Sequence, residues 1–393
     1  MMRMDHGSRV RRLAPWCAAW MAIIAGVLAG CGVHDMKPPR NTAHYRVVGY
    51  DTAKGDIAPQ DVGKIDTLIF AFARLVDGEV ILPPADAMRL DRLVALKASH
   101  PRLSVVVSVG GWTVDGFSDA ASTAANRQRF ADSAARLLVA NGADGLDVDW
   151  EYPGHAEAHI KASAQDRGNF TLLLKDLRET LDHAGNAHGR HAARHYTLSI
   201  AAADGVFVSG IDIAAVEPSL DWFNLMTYDF VNSMTPTTGH HTGLYASAYA
   251  PGSARSTDKA VRQFLAAGVP SQKLLIGAAF YGRAFADVQP AHDGLYQAYG
   301  HYQGEYPWPQ LKAGFINRGG YIRYWDEVAQ APFLWNAATH CFISYDDPQS
   351  IAAKATYVKS HHLGGIMYWE QSEDPQGELL DAVWRGLQPG RPE

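Results

Sequence analysis

The sequence predicts an α/β protein built as a (β/α)8 barrel, with a small α+β subdomain inserted between strands seven and eight. Three observations carry this. Eight short β-rich runs alternate with amphipathic helical segments. Several runs are almost continuously apolar, as in Leu103-Ser104-Val105-Val106-Val107, which suits a parallel sheet covered by helices. One gap in the alternation, from Tyr281 to Leu363, is too long for a bare loop and should fold by itself over about 284–345.

In chain order, the strand candidates are Tyr45–Tyr50, Thr67–Phe72, Leu103–Ser108, Gly145–Trp150, Tyr196–Ala202, Trp222–Tyr228, Lys273–Ala279 and Gly365–Trp369. Between them, Asn126–Val139 puts Phe130, Ala134, Leu137 and Leu138 on one stripe and stops at Asn141-Gly142. Phe170–Leu181 aligns Phe170, Leu173, Leu174, Leu177 and Leu181 in the same way. Asp258–Ala267 and Leu379–Leu387 behave similarly. A doubly wound open sheet is the alternative, but no glycine-rich phosphate turn follows the first strand.

Ahead of the barrel, Arg9, Arg11 and Arg12 precede an apolar run, Leu13–Leu28, too short for a comfortable membrane span and sized for a signal peptide. The run ends Leu28-Ala29-Gly30-Cys31, which resembles a bacterial lipobox. That resemblance implies cleavage after residue 30 and lipid on Cys31. With Gly32 rather than Asp next, it implies an exported protein anchored to the outer membrane, on its periplasmic or cell-surface side. Residues 31–44, with Pro38 and Pro39, read as a tether, and 45–393 as the barrel.

Lys and Arg total 35 against 41 Asp and Glu, a net charge of −6. Residues 1–30 carry four arginines and one aspartate, so their loss leaves −9 and makes nucleic acid an improbable partner. Of three cysteines, Cys17 leaves with the signal and Cys31 takes lipid, so no internal disulfide forms. Cys341, beside Phe342 and Ile343, reads as buried and inert. Ten Trp and 17 Tyr hint at flat surfaces for sugar rings, although most aromatics are core.

The chemistry concentrates in Asp144-Gly145-Leu146-Asp147-Val148-Asp149-Trp150-Glu151-Tyr152-Pro153. Strand side chains alternate, so Asp147, Asp149 and Glu151 share one face, the barrel interior, while Asp144 has the opposite parity and a structural role. Burial and mutual repulsion should raise at least one of the three pKa values, and two can share a proton. That costs stability and favours proton transfer. A calcium loop is excluded, because Tyr152 stands where such a loop needs glycine.

Asp144-x-x-Asp147-x-Asp149-x-Glu151 resembles the DxxDxDxE signature of glycoside hydrolase family 18, the chitinase family. Ser108-Val109-Gly110-Gly111, Met226-Thr227-Tyr228-Asp229, Tyr281-Gly282-Arg283 and Trp369 resemble further landmarks of that family in the same order. Trp325-Asp326, Ala331-Pro332 and Ser344-Tyr345-Asp346-Asp347 resemble the inserted subdomain of its larger members. The resemblance implies substrate-assisted, retaining hydrolysis of β-1,4-linked N-acetylglucosamine polymers, chitin or chitooligosaccharides, with no cofactor or metal. Glu151 would be the general acid. Asp149 would orient the acetamido N–H, Asp147 would share a proton with Asp149, and Tyr228 would hydrogen-bond the acetamido carbonyl. Trp369 would form the floor, and Trp112, after Gly111, would stack on the leaving-group side. Tyr152, Met226 and Asp229 would line the centre, Tyr281 and Arg283 would reach in from strand seven, and Tyr50 and Phe72 would close strands one and two. His240-His241 and His361-His362 read as surface or loop residues. The chain departs from the family after strand one, where Asp51–Asp56 contains no aromatic, so a strong remote subsite on the non-reducing side is not expected. A monomer is expected. A silent chitin-binding lectin, or an endo-β-N-acetylglucosaminidase acting on N-glycan or peptidoglycan, remains the alternative.

Overall fold

The computed structural model describes residues 44–52 and 54–389; the segments read as signal, lipid site and, apart from residue 44, tether lie outside them. The eight barrel strands are Arg46–Asp51, Thr67–Val76, Ser104–Gly110, Gly145–Asp149, Thr197–Ala202, Trp222–Leu225, Leu274–Ala279 and Gly365–Trp369. Each pairs in parallel with the next, and the eighth pairs with the first, so the sheet closes. Closure follows from the apolar runs: each strand buries one side chain against the helices and the next inside the barrel.

Inside, Val48, Ile69, Val106, Leu275 and Met367 are fully buried. Outside, the helix Ala124–Asn141 buries Phe130, Ala134, Leu137 and Leu138, the expected stripe. Its first turn is capped by the Thr123 hydroxyl, which accepts from Asn126 N, and Gly142 ends it in the left-handed conformation. The long helix Asp166–Ala187 packs Leu173, Leu174, Leu177 and Leu181 beside it. Burying each such leucine is worth roughly 1.5–3 kcal/mol.

Strand two runs on past Phe72 and turns back to pair with Glu79–Ile81. Strand six is shorter than its sequence suggests. It stops at Leu225, where Thr227 N turns back onto the Leu225 carbonyl at 2.7 Å. Met226, Tyr228 and Asp229 are therefore loop residues at the barrel's upper rim.

The insertion is a five-stranded antiparallel sheet, in the spatial order His301–Pro307, Tyr281–Ala286, Cys341–Tyr345, Ala331–Asn336 and Ile322–Asp326. Its own core holds Phe285, Leu295, Phe333, Trp335 and Phe342. It begins at Tyr281, three residues earlier than its sequence suggests, because only Phe280 separates it from strand seven. Cys341 is a buried free thiol in this sheet.

Two glycines at the end of strand three let it approach both neighbours, strand four and strand two. Gly110 has φ 125°, and a Cβ there would lie 1.9 Å from the Asp149 carbonyl oxygen. Gly111 has φ 100°, and its Cβ would meet the Phe72 ring at 2.9 Å. Gly110→Ala is therefore expected to destabilise the protein by more than about 2 kcal/mol. Gly168→Ala, in open space on a helix, should be neutral or slightly stabilising. Urea unfolding of both variants checks the contrast.

Candidate active site

Asp147 is fully buried at the centre of the barrel. Backbone register sets Ser108 on strand three and Ser199 on strand five directly beside it. Both hydroxyls donate to it, at 2.8 and 2.6 Å. The Tyr50 hydroxyl on strand one donates at 2.9 Å and the Asn224 amide on strand six at 3.1 Å. Four donors thus fill the carboxylate's acceptor positions. Burial raises its pKa above the ordinary carboxyl value, and these hydrogen bonds hold that rise in check without reversing it.

Asp149, two residues on, lacks that support. It is buried, and its Oδ1 has no hydrogen-bond partner. Burial first, then the charges of Glu151 and Asp147, push its pKa well above the ordinary carboxyl range. Asp149 therefore holds a proton more readily than Asp147 does. A proton shared with Asp147, as its sequence suggests, would have to displace one of the four donors already there. Glu151 is half-buried just past the strand end, and burial lifts its pKa to about 7.

Asp229 is tuned the opposite way. The Arg283 guanidinium grips both its oxygens, Nη2 at 2.6 Å from Oδ2, and the Tyr281 hydroxyl donates at 2.7 Å. Although burial alone would raise its pKa, His241 and Arg283 hold it below the usual carboxylate range. Asp229 is a fixed anion. Arg283 and Tyr281 belong to the first strand of the inserted sheet, not to strand seven as expected, so the insertion supplies this clamp. Tyr302 and Glu305 on the neighbouring strand hold the outer edge of Arg283.

Among the described residues, the Tyr228 hydroxyl's one hydrogen-bond partner is the Met367 thioether, at 3.8 Å, a weak acceptor that leaves most of its hydrogen-bonding capacity free. Half-buried Trp369 lies near-parallel to Phe72 at 5.8 Å and tilted to Tyr50 at 5.6 Å. Half-buried Met226 packs against the same barrel-interior cluster. Across the rim, Trp112 tilts toward Tyr152 at 6.2 Å, and Tyr152 stacks on Phe207 at 4.5 Å. The Ala71-Phe72, Glu151-Tyr152 and Trp369-Glu370 peptides are cis.

The structure thus gathers the sequence-chosen residues at one end of the barrel, with two changes of role. Tyr50 is 1% exposed, so its hydroxyl serves Asp147 from beneath the site rather than meeting a substrate. His240 and His241 are buried loop residues, not surface ones: His240 is paired with Asp326, and His241 is set against Asp229 and the Tyr281 ring. Asp144 accepts from Val105 N, Lys97 and Arg190 at the strand's start, as its parity implied. Sequence reasoning missed Phe207, Tyr302 and the Ser108, Ser199 and Asn224 donors. Ser199 and Asn224 share the interior parity of their strands, which was the available signal.

Residues 46–374 match the family model described as Glycosyl hydrolases family 18. The chain belongs to glycoside hydrolase family 18. It is 38% identical to Chitinase A1 of Niallia circulans over 321 residues, covering 77% of this chain and 45% of that relative. It is 32% identical to Chitinase B of Serratia marcescens over 357 residues, covering 75% of this chain and 69% of that relative. Its fold is similar to that of a family 18 N-acetylglucosaminidase from Paenibacillus barengoltzii, with a TM-score of 0.83 and 42% identity. That match covers 87% of this chain and all of the other. Chitinase A1 is thus a much longer protein than this chain.

The raised Glu151 pKa has a signed consequence. Between the ordinary carboxyl value near 4.5 and about 7, the folded protein keeps this proton while the unfolded chain has released it. Stability from this group is therefore lost as pH rises across that window. Glu151→Gln should melt at a higher temperature than wild type near about pH 8, and the gap should close below about pH 4.5. Calorimetric scans of both proteins across that range check it.

Proposed function

We propose that this protein hydrolyses β-1,4-linked N-acetylglucosamine chains, chitin or its oligomers, by substrate-assisted catalysis with retention of configuration. One observation carries the proposal. Of the four carboxyls in the site, Asp147 is saturated by four donors and Asp229 is locked by Arg283, which leaves Glu151 and Asp149. Glu151, with a pKa of about 7, keeps its proton under mildly acidic conditions and in about half of the molecules at neutral pH, and can deliver it to the glycosidic oxygen. Asp149 is buried and its pKa is pushed well above the ordinary carboxyl range, which disfavours the free carboxylate that a nucleophile needs. The nucleophile is then the carbonyl oxygen of the substrate's own 2-acetamido group, the route by which family 18 departs from the two-carboxylate scheme.

In this reading, Glu151 protonates the leaving oxygen as the bond to the anomeric carbon breaks. The acetamido oxygen closes on that carbon to form an oxazolinium ring. The free Oδ1 of Asp149 accepts the acetamido N–H, and the Tyr228 hydroxyl donates to the acetamido carbonyl. Each such contact, strengthening as charge develops, is worth a few kcal/mol. Water, deprotonated by the now ionised Glu151, opens the ring and returns the proton. Trp369 carries the reacting sugar, and Trp112, Tyr152 and Phe207 carry the leaving group. The chitinases among its relatives support chitin as the polymer, and the N-acetylglucosaminidase relative supports short products.

The expected outcome for Glu151→Gln is loss of about 1,000-fold or more in kcat on a chromogenic chitotrioside, with substrate binding retained. Equal turnover by variant and wild type would sink the hydrolase reading. Binding of chitooligomers by wild type without turnover would favour a lectin.

We also infer export and lipid attachment at Cys31, on the Leu28-Ala29-Gly30-Cys31 pattern after the basic and apolar leader. Cells expressing the full chain and fed an alkyne fatty acid should yield a labelled, membrane-associated protein, and Cys31→Ser should remove both properties. Labelling that persists in Cys31→Ser would contradict the assignment.

A further inference from the structure

The helix Pro348–Ser360 carries Lys354, a lysine only 1% exposed, whose ammonium the catalytic scheme does not use. A buried ammonium costs several kcal/mol unless every proton is satisfied. Here Nζ lies 2.6 Å from Asp346 Oδ2, 2.5 Å from Thr242 Oγ1 and 3.1 Å from the Gly277 carbonyl. Asp346, equally buried, also accepts from the Ser350 hydroxyl and from Ala279 N.

What this cluster holds is the loop after strand six. The Thr242 hydroxyl lies 3.0 Å from the Thr227 carbonyl. The Thr227 hydroxyl accepts from Gly277 N at 2.6 Å and lies 3.1 Å from the Gly277 carbonyl, which Lys354 also contacts. The next residues are Tyr228 and Asp229. The Tyr228 ring lies directly on Gly277, where an added Cβ would sit 2.8 Å from ring carbon Cε1. Strand seven, gripped at Gly277 and Ala279, leads through Phe280 to Tyr281, which holds Asp229 from the other side.

We infer that Lys354, acting through Thr242, Thr227 and Gly277, is a positioning residue that sets the Tyr228 hydroxyl at the height the acetamido group requires. Lys354 touches no substrate. Its charge matters because three rigid acceptors from three different chain segments converge on it. The inference rests on the proposed role of Tyr228 and names the network that enforces it.

Four variants of the full chain test this: Lys354→Met, Thr242→Val, Tyr228→Phe and the double variant Lys354→Met/Tyr228→Phe. Their kcat values are normalised to the folded fraction from circular dichroism. Thr242→Val keeps the ion pair and the side-chain volume, so it reports on the relay even if Lys354→Met folds poorly. Thr242→Val is expected to lose about tenfold, and Lys354→Met about 10- to 100-fold, in kcat, with KM within about twofold of wild type. The double variant is expected to be no more than about threefold worse than Tyr228→Phe, because both changes remove the same contact. Losses that multiply, or wild-type kcat in Thr242→Val, would overturn the positioning role. Wild-type kcat in Tyr228→Phe would instead overturn the acetamide reading of Tyr228, and the inference with it. The two failures are therefore read from different variants.

Discussion

Four hydrogen bonds converging on the buried Asp147 carboxylate are the constraint on which the site depends. Each bond to a charged acceptor is worth roughly 1.5–3 kcal/mol, so together they offset much of the cost of desolvating the carboxylate, although burial still leaves its pKa raised. The donors come from strands one, three, five and six, so they converge only when the barrel is closed and in register. Closure of the sheet and burial of the charge are one condition. Once Asp147 is satisfied, the next carboxyl on the same face has no protein donor on its Oδ1, and the third stands half-buried at the rim. The gradient from bound anion to proton-holding acid along five residues follows from depth in the barrel and from the supply of donors.

The inserted sheet completes this gradient from above. Without Arg283 and Tyr281, Asp229 would be an uncompensated negative charge beside Glu151 and Asp149. With them it is a fixed anion that still raises the Glu151 pKa. Gly110 and Gly111 do comparable work for the backbone. Their positive φ values let strand three meet the Asp149 carbonyl and the Phe72 ring without a Cβ between them. The ion pair of Lys354 and Asp346 fixes the remaining loop from the far side of the barrel wall.

Much of this was legible in the sequence, and for physical reasons. Apolar runs announce barrel strands because both their faces are buried, and period-two alternation put Asp147, Asp149 and Glu151 on one face and Asp144 on the other. What alternation cannot reveal is which distant strands lie alongside. The convergence of Tyr50 and Asn224 on Asp147 spans 97 and 77 residues of sequence, and nothing local marks it. His240 and His241 read as surface or loop residues; they are loop residues, and their burial is decided by the inserted sheet that covers them. Strand six read as longer than it is because Met226 and Tyr228 continue its apolar pattern, while the turn depends on a Thr227 side chain bonding to strand seven. The start of the insertion was blurred for the same reason: Tyr281, Arg283 and Phe285 alternate as a strand does, and only pairing tells one sheet from the other.

Donor supply, rather than depth alone, decides which of the three carboxyls holds a proton most readily. Carbon-13 NMR titration of the protein labelled at its Asp and Glu carboxyls, assigned with Asp147→Asn, Asp149→Asn and Glu151→Gln, measures this directly. Glu151 is predicted to titrate near about 7, and Asp149 to hold its proton to higher pH than Asp147 does. A protonated Asp147 beside an ionised Asp149 would contradict the account.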